Sequence, residues 1–296
     1  MISIDLGSNS IRIVKFNCAT KEVIIEFSRI VKVADGLSSS GKIMIESAQR
    51  VIDTINDAKE VIDFDDKIFA VTTQALRQAN NSKEILELIA QKSGMRFKII
   101  SGEEEAKYTL LAVESRLDII APDIKSFVLI DIGGGSTEII FKYQDRVVSK
   151  SFPVGIVTIA QSYPNINQMR NILPKLMSSM LEFVNDIYSK YGLVDSFLAT
   201  AGTPTTIASL KCGLDYLSYD PMIVEGTSLS IEELNRYERE LSLLNPQELI
   251  KAVGSGRDEV IYAGVEIYKE LFKILRFDSS IVVDFGLVEG LAIQNC

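Results

Sequence analysis

The sequence predicts an α/β protein built from two copies of one unit, and three features say so. The segment FVLIDIGGGSTEII, residues 127–140, has a thinner counterpart at the amino terminus, MISIDLGSNSIRIV. Aligning Asp5 with Asp131 pairs Gly7 with Gly133, Ser10 with Ser136 and Ile13 with Ile139, at a constant offset of 126 residues, 131 less 5. Strand-like apolar runs alternate along the chain with helix-length amphipathic ones, the pattern of α/β folds. A chain of 296 residues that is 47% hydrophobic also suffices for two cores, since a domain takes about 100–200 residues.

Taken in order, MISIDLG, IRIVKFN and EVIIEF follow one another closely and predict a small meander of strands. ADGLSSSGK, residues 34–42, is turn chemistry. Helices are expected near 46–60 and 83–93, flanking the strand IFAVTT, followed by a strand in RFKII and a helix over 102–117. Pro122 then ends the helical stretch, which places a first domain at 1–121 and a second at 122–285. The second repeats the order strand, Gly turn, strand in FVLIDI and EIIFKY. It continues through a helix over 168–190, the strand FLATA, helices near 231–243 and 258–275, and the strand IVVDFG. Two such units facing each other place their Gly turns across a common cleft.

Composition excludes several chemistries. With no histidine in the chain, Ser-His-Asp and Cys-His hydrolysis, HExxH zinc chemistry and every His general base are ruled out. Acid–base work falls to carboxylates, Tyr, Lys or bound water. The net charge of −9 argues against nucleic-acid binding, which needs a basic face to displace counterions. A small or linear polyanion met by a local basic groove and a divalent metal remains compatible with it. No apolar run reaches the roughly 18 residues of a spanning helix and no basic n-region precedes the first strand, so a cytoplasmic protein without membrane association is expected. Cys18, Cys212 and Cys296 are far apart and form no CxxC; they are expected to be buried or incidental thiols, not a disulfide framework or a zinc site.

In each repeat an acid ends a strand and a Gly/Ser run turns into the next. Such a turn exposes successive backbone N–H groups, and glycine lets the main chain approach an anion closely. A tight hairpin explains one isolated GGGS better; repetition with the acid held in place reverses that and favours two phosphate-gripping turns. Asp5 and Asp131 then supply oxygen ligands for Mg²⁺ or another divalent cation. A third turn, in FLATAGTPTTIASL, sets Gly202 and Thr203 before a helical run whose amino terminus suits an anion, although a Thr-capped turn accounts for the hydroxyls nearly as well. IVVDFGLVEGL, residues 281–291, pairs an acid with Gly a fourth time. In SGEEEAKYTLLAV, residues 101–113, Ser101 and Glu104 make a capping box and Glu103 pairs with Lys107 at i,i+4. Glu105 has neither role; it is a solvated helix acid or, without His, a carboxylate base for a water nucleophile. Arg77, in VTTQALRQA, is a surface arginine by default, with a guanidinium fork suited to phosphate.

Together IDLGSNSIRIV, ADGLSSSGK, TTQALRQA, ISGEEEA, LIDIGGGSTEII, TAGTPTTIASL, RDEVIYAG and VVDFGLVEGL, from residue 2 to residue 291, resemble the exopolyphosphatase and guanosine pentaphosphate phosphohydrolase family, Ppx/GppA, of the actin-like ATPase superfamily. The resemblance implies two ribonuclease-H-like domains with mixed sheets about a central cleft, the last segment, 286–296, returning to the first domain. It implies Mg²⁺-dependent removal of a terminal phosphate from inorganic polyphosphate or guanosine pentaphosphate, with guanosine tetraphosphate as an inhibitor. By position, Glu105 matches the base that activates water and Glu104 its neighbour; Asp131 and Glu138 match the acids that organise metal and water. Gly133, Gly134, Gly135 and Ser136 match the phosphate loop, Ser8, Asn9 and Ser10 its partner in the first domain, and Arg77 a phosphate-contacting arginine. Family members pair as homodimers, although no segment here marks an interface. The chain resembles the short members, which lack a carboxy-terminal helical domain. Glu259 stands where the family has Asp, and Phe285-Gly286 where it has two glycines, which bears on substrate choice.

Two rival functions remain. An actin-like ATP-dependent kinase or ATPase shares the two phosphate loops, but TAGTPTT with VVDFGLVEGL fits its adenosine-binding Gly-Gly segment poorly. A non-catalytic alarmone-binding regulator would have no need of Glu105, Asp131 and Glu138 aimed at water.

Overall fold

Apolar runs broken by a single acid form the middle of each sheet. The computed structural model describes residues 1–296 and divides them into two units, Met1–Ser115 with Phe285–Cys296, and Arg116–Asp284. The first unit starts with β1 (Ile2–Leu6), β2 (Ser10–Asn17) and β3 (Glu22–Ile30), then α1 (Leu37–Ser40), α2 (Ile45–Lys59), β4 (Ile68–Thr72), α3 (Gln74–Gln78), α4 (Ser82–Ser93), β5 (Lys98–Ile99) and α5 (Gly102–Ile120). Its five-stranded sheet has the order β3-β2-β1-β4-β5. β1, β2 and β3 form the antiparallel meander, while β4 and β5 extend it in parallel. β1 is buried on both faces except at Asp5, as a central strand requires.

From residue 127 the arrangement recurs: β6 (Phe127–Ile132), β7 (Thr137–Lys142), β8 (Val147–Phe152), α6 (Ile156–Ser162), α7 (Ile166–Leu176), α8 (Ser178–Tyr191), β9 (Ser196–Thr200), α9 (Gly202–Lys211) and α10 (Pro221–Val224). Then come β10 (Ser228–Ser230), α11 (Ile231–Ser242), α12 (Pro246–Val253), α13 (Ile261–Leu275), β11 (Ser279–Val282) and α14 (Leu287–Asn295). The six-stranded sheet runs β10-β11-β9-β6-β7-β8. Again a meander, β6-β7-β8, is extended in parallel, by β9 and β11, with β10 antiparallel at the edge. α13 crosses the unit with Ile267, Tyr268, Leu271 and Phe272 buried, and Tyr268 and Phe272 stack edgewise on Phe197. No helix is long and apolar enough to cross a membrane.

Three expectations change. The helix over 168–190 is two helices, interrupted at Met177; Pro174, inside α7, has no N–H to continue the ladder. The turn at 34–42 holds one helical turn, α1, between Gly36 and Gly41, each at φ 67°, a left-handed geometry that glycine adopts without strain. The expectation that the cysteines are unbonded is wrong for two of them: Cys18 and Cys296 form a disulfide across 278 residues of sequence, Cα atoms 5.3 Å apart. Sequence distance says nothing of spatial distance, and only the fold brings β2 and the chain end together.

Candidate active site

In the first unit β1, β4 and β5 run parallel, so their carboxyl ends share one sheet edge, where ligands bind in open α/β sheets. Asp5 lies near the end of β1, Thr72 closes β4 and leads into α3 with Arg77, and Ile100-Ser101 leads from β5 into α5. There Arg77 and Glu105 meet: Arg77 Nη1 donates to Glu105 Oε2 at 2.9 Å and to the Ile100 carbonyl at 2.7 Å. The side chains are only 18% and 10% exposed. Gln74 Oε1 accepts from Arg77 Nε at 3.2 Å and Nη2 at 2.8 Å, fixing the guanidinium plane.

Glu104 points to other work. Its Oε2 accepts from the Ser101 N–H at 3.0 Å, its own N–H donates to Ser101 Oγ at 3.1 Å, and Lys98 Nζ donates to Oε1 at 2.6 Å. The box caps α5 and so sets Glu105 one residue further into its first turn. The Lys98 hydrogen bond and the Ser101 N–H hold the Glu104 carboxyl below the usual carboxylate range, and the same contact raises the Lys98 ammonium.

The Gly turns repeat in geometry as well as in sequence. Gly7 N–H donates to the Ser10 carbonyl at 2.9 Å, and Gly133 N–H to the Ser136 carbonyl at 2.9 Å. The Ser8 carbonyl accepts from the Ala34 N–H at 2.8 Å and Asn9 from Val31 and Lys32, while Gly133 and Gly134 accept from Ile156 and Val157. In both units the chain beyond the third strand braces the turn. Gly155 explains how closely: a Cβ there would come within 2.5 Å of the Gly134 and Gly135 backbone.

On the second sheet Asp131 faces Glu138 across β6–β7 and Thr200 across β6–β9. Directly opposed residues have Cβ atoms about 4.5–5.5 Å apart on one face, so the two carboxylates share a patch. Glu138 is fully buried and its Oε1 accepts from Ser151 Oγ at 2.6 Å. The chain has no cluster of three or more His, Cys, Asp or Glu that could cage an ion. Two carboxylates do suit Mg²⁺, which is bound through one or two acids and completed by water and substrate oxygens.

β9 ends beside β6, and Ala201 there has φ 74° and ψ −175°, a strained conformation for any residue with a Cβ. Gly202 opens α9, whereas Thr203 is 2% exposed and packs against Gly264, where a Cβ would lie 2.0 Å from Thr203 Oγ1. Thr203 thus meets α13 with its hydroxyl. Asp284, past β11, accepts a hydrogen bond from the Tyr219 hydroxyl.

Sequence reasoning missed Gln74, Ser151, Gly155 and Arg12. Arg12 had a signal: it lies 126 residues before Glu138, and it faces Asp5 as Glu138 faces Asp131. Arg12 Nη2 pairs with Glu289 Oε1 at 2.7 Å and Nε with Glu26 Oε1 at 2.9 Å.

The bifunctional 3-dehydroquinate synthase/phosphatase of Fusobacterium nucleatum is 27% identical over 99% of this chain, which spans 46% of that longer protein. Exopolyphosphatase 2 of Mycobacterium tuberculosis is 24% identical over 99% of this chain and 97% of its own length. Among solved structures, the Aquifex aeolicus PPX-GPPA enzyme is 29% identical, with a TM-score of 0.73 over 99% of this chain and 98% of that one. An exopolyphosphatase from Cytophaga hutchinsonii shares the fold at TM-score 0.84 and 18% identity, covering 99% of this chain and 96% of its own. The architecture is therefore the α/β, actin-like ATPase fold, with one mixed sheet in each unit. With residues 13–296 matching its profile, from within the second strand to the end of the chain, the chain belongs to the Ppx/GppA phosphatase family.

Proposed function

We propose that the chain is a divalent-cation-dependent phosphohydrolase that removes the terminal phosphate of inorganic polyphosphate. The observation that carries this reading is the Arg77–Glu105 pair: a phosphate-binding fork and a carboxylate base held together, largely out of water, at the carboxyl ends of the parallel strands of a mixed sheet. Phosphoryl transfer needs positioning and charge stabilisation more than covalent chemistry, and a chain without histidine has carboxylates for the base.

Arg77 orients the terminal phosphoryl group while Glu105 takes a proton from water. The water oxygen forms its bond to phosphorus as the bridging P–O bond breaks, and the shortened chain leaves with that electron pair. Ser8, Asn9 and Ser10, and Gly133 to Ser136, serve as anion-binding turns, with Gly202 at the start of α9 as a further contact. On the second sheet Asp131 and Glu138 are residues that would hold a divalent cation, which would offset charge on the phosphoryl oxygens, and Asp5 is the corresponding candidate ligand of the first unit. Glu104 supports the site by capping α5.

Phosphate release by the purified protein with Mg²⁺, compared on long-chain polyphosphate, guanosine pentaphosphate and ATP, tests the reading. Release from polyphosphate is expected, and guanosine pentaphosphate ends in the same anhydride. Glu105→Gln is expected to lower turnover by at least about a hundredfold with phosphate-ligand binding retained. Undiminished turnover in the variant would refute the base, and release from ATP alone would point to a kinase-like enzyme. Inhibition by guanosine tetraphosphate and the oligomeric state are read in the same preparation.

A further inference from the structure

We propose that Cys18 and Cys296 are a redox-modified pair whose disulfide clamps α14 onto the β1–β2 hairpin and thereby orders the Gly7–Ser10 turn. Cys18 directly follows β2 and Cys296 directly follows α14, so the bond joins the ends of two elements already packed together. Both cysteines are exposed, as accessible redox pairs are and scaffold bridges need not be. The remaining cysteine, Cys212, is free and lies in the other unit.

α14 has nine residues, and isolated helices shorter than about 12–15 residues do not hold in water. Its order comes from docking, and the contacts lie mostly in its first half. Glu289, 1% exposed, receives Arg12 at 2.7 Å and the Gly286 N–H at 2.8 Å. The Val288 carbonyl accepts from Ser3 Oγ at 2.8 Å. Leu287 and Leu291 close over Val71 and Ile100, and Gly290 sits so close to the Tyr108 carbonyl that a Cβ would lie 1.8 Å from it. The second half ends on the disulfide, with Cys296 Sγ also 3.6 Å from Met1 Sδ. Ser3 and Arg12 belong to the strands flanking the turn, and Arg12 stands two residues after Ser10 and opposite Asp5. Cys18 closes β2 at the end away from Gly7–Ser10, so the disulfide bears on that turn only through α14 and its hold on Ser3 and Arg12.

The co-reactant is a dithiol. Its thiolate attacks one Sγ, the Cys18–Cys296 bond breaks, and the other Sγ leaves as a thiolate that takes up a proton. The second thiol of the reductant then displaces the mixed disulfide. Two electrons and two protons end on Cys18 and Cys296, and the dithiol leaves as a cyclic disulfide.

The full-length protein is tested in both redox states. A maleimide probe on the denatured, air-oxidised chain is expected to label Cys212 alone, and all three cysteines after dithiothreitol. Hydrogen exchange is expected to quicken by about tenfold or more on reduction in residues 287–296 and in the Gly7–Ser10 turn, with residues 127–142 as the unchanged reference. Cys18→Ser and Cys296→Ser should reproduce the reduced pattern and ignore the reductant, whereas Cys212→Ser should still respond. Three reactive thiols in the oxidised protein, or equal exchange of the turn in both states, would overturn the proposal. A change of phosphate release on reduction is also expected, and that part rests on the phosphohydrolase reading. Exchange needs no activity, so a protein that released phosphate from nothing would sink that reading and leave the clamp to be judged by exchange.

Discussion

Glu138 and Arg12 occupy the same place in the two copies of the repeat, and the exchange of charge between them separates the units chemically. Asp131 opposite Glu138 makes a doubly acidic patch, whereas Asp5 lies opposite Arg12, whose guanidinium pairs with Glu26 and Glu289. In the proposed reaction the first patch favours a cation, whereas the second holds one guanidinium among its acids. Glu104 allows a test at this scale. Lys98 and the Ser101 N–H lower its carboxyl in the folded state, so the stability it contributes is present above the unfolded value and lost as pH falls through the lowered folded one. Glu104→Gln should therefore narrow the stability difference between about pH 7 and pH 3. The change should stay under about 1 kcal/mol, because the pair is exposed to solvent. Urea unfolding at both pH values measures it, and an unaltered difference would show the Lys98 contact to be idle.

At the scale of elements, each phosphate-loop candidate is a strand–turn–strand held from behind. Gly155, at the start of α6, touches the Gly134–Gly135 backbone with no room for a methyl group. Gly155→Ala is expected to cost about 1–3 kcal/mol and to weaken phosphate-ligand binding as the turn shifts. Gly202→Ala, with nothing within 4 Å of its Cβ position, should pack without strain and serves as the stability control. Denaturation of both variants and phosphate binding by Gly155→Ala decide it: unchanged stability and binding in Gly155→Ala would mean the turn is not braced by Gly155. The positions of the turns were legible in the sequence because Gly and Ser mark them. Their bracing was not, because Gly155 looks like any glycine after a strand and its role depends on what comes to lie against it.

Over the whole molecule, the second unit is one continuous segment, 116–284, while the first is completed by residues 285–296. Ending the chain at Asp284 removes α14 and uncovers Val71 and Ile100. The shortened protein should lose protection against proteolysis within residues 1–115 while residues 116–284 stay resistant. Mapping the first cleavage sites by mass spectrometry checks this, and early cleavage within 116–284 would contradict it.

By itself the sequence determined the α/β class, the repeat, the acid-bearing turns and, through its motifs, the family. These are written in local periodicity and in residues such as Gly, Asp and Glu that keep their character in any context. Only the tertiary structure decided that Arg77 meets Glu105 under the hold of Gln74, that Ser151 holds Glu138, that Thr203 turns to α13 and that Cys18 bonds Cys296. Apart from the Gln74–Arg77 contact within α3, each of these joins separate elements, set by how strands register and helices pack, and no local pattern encodes it.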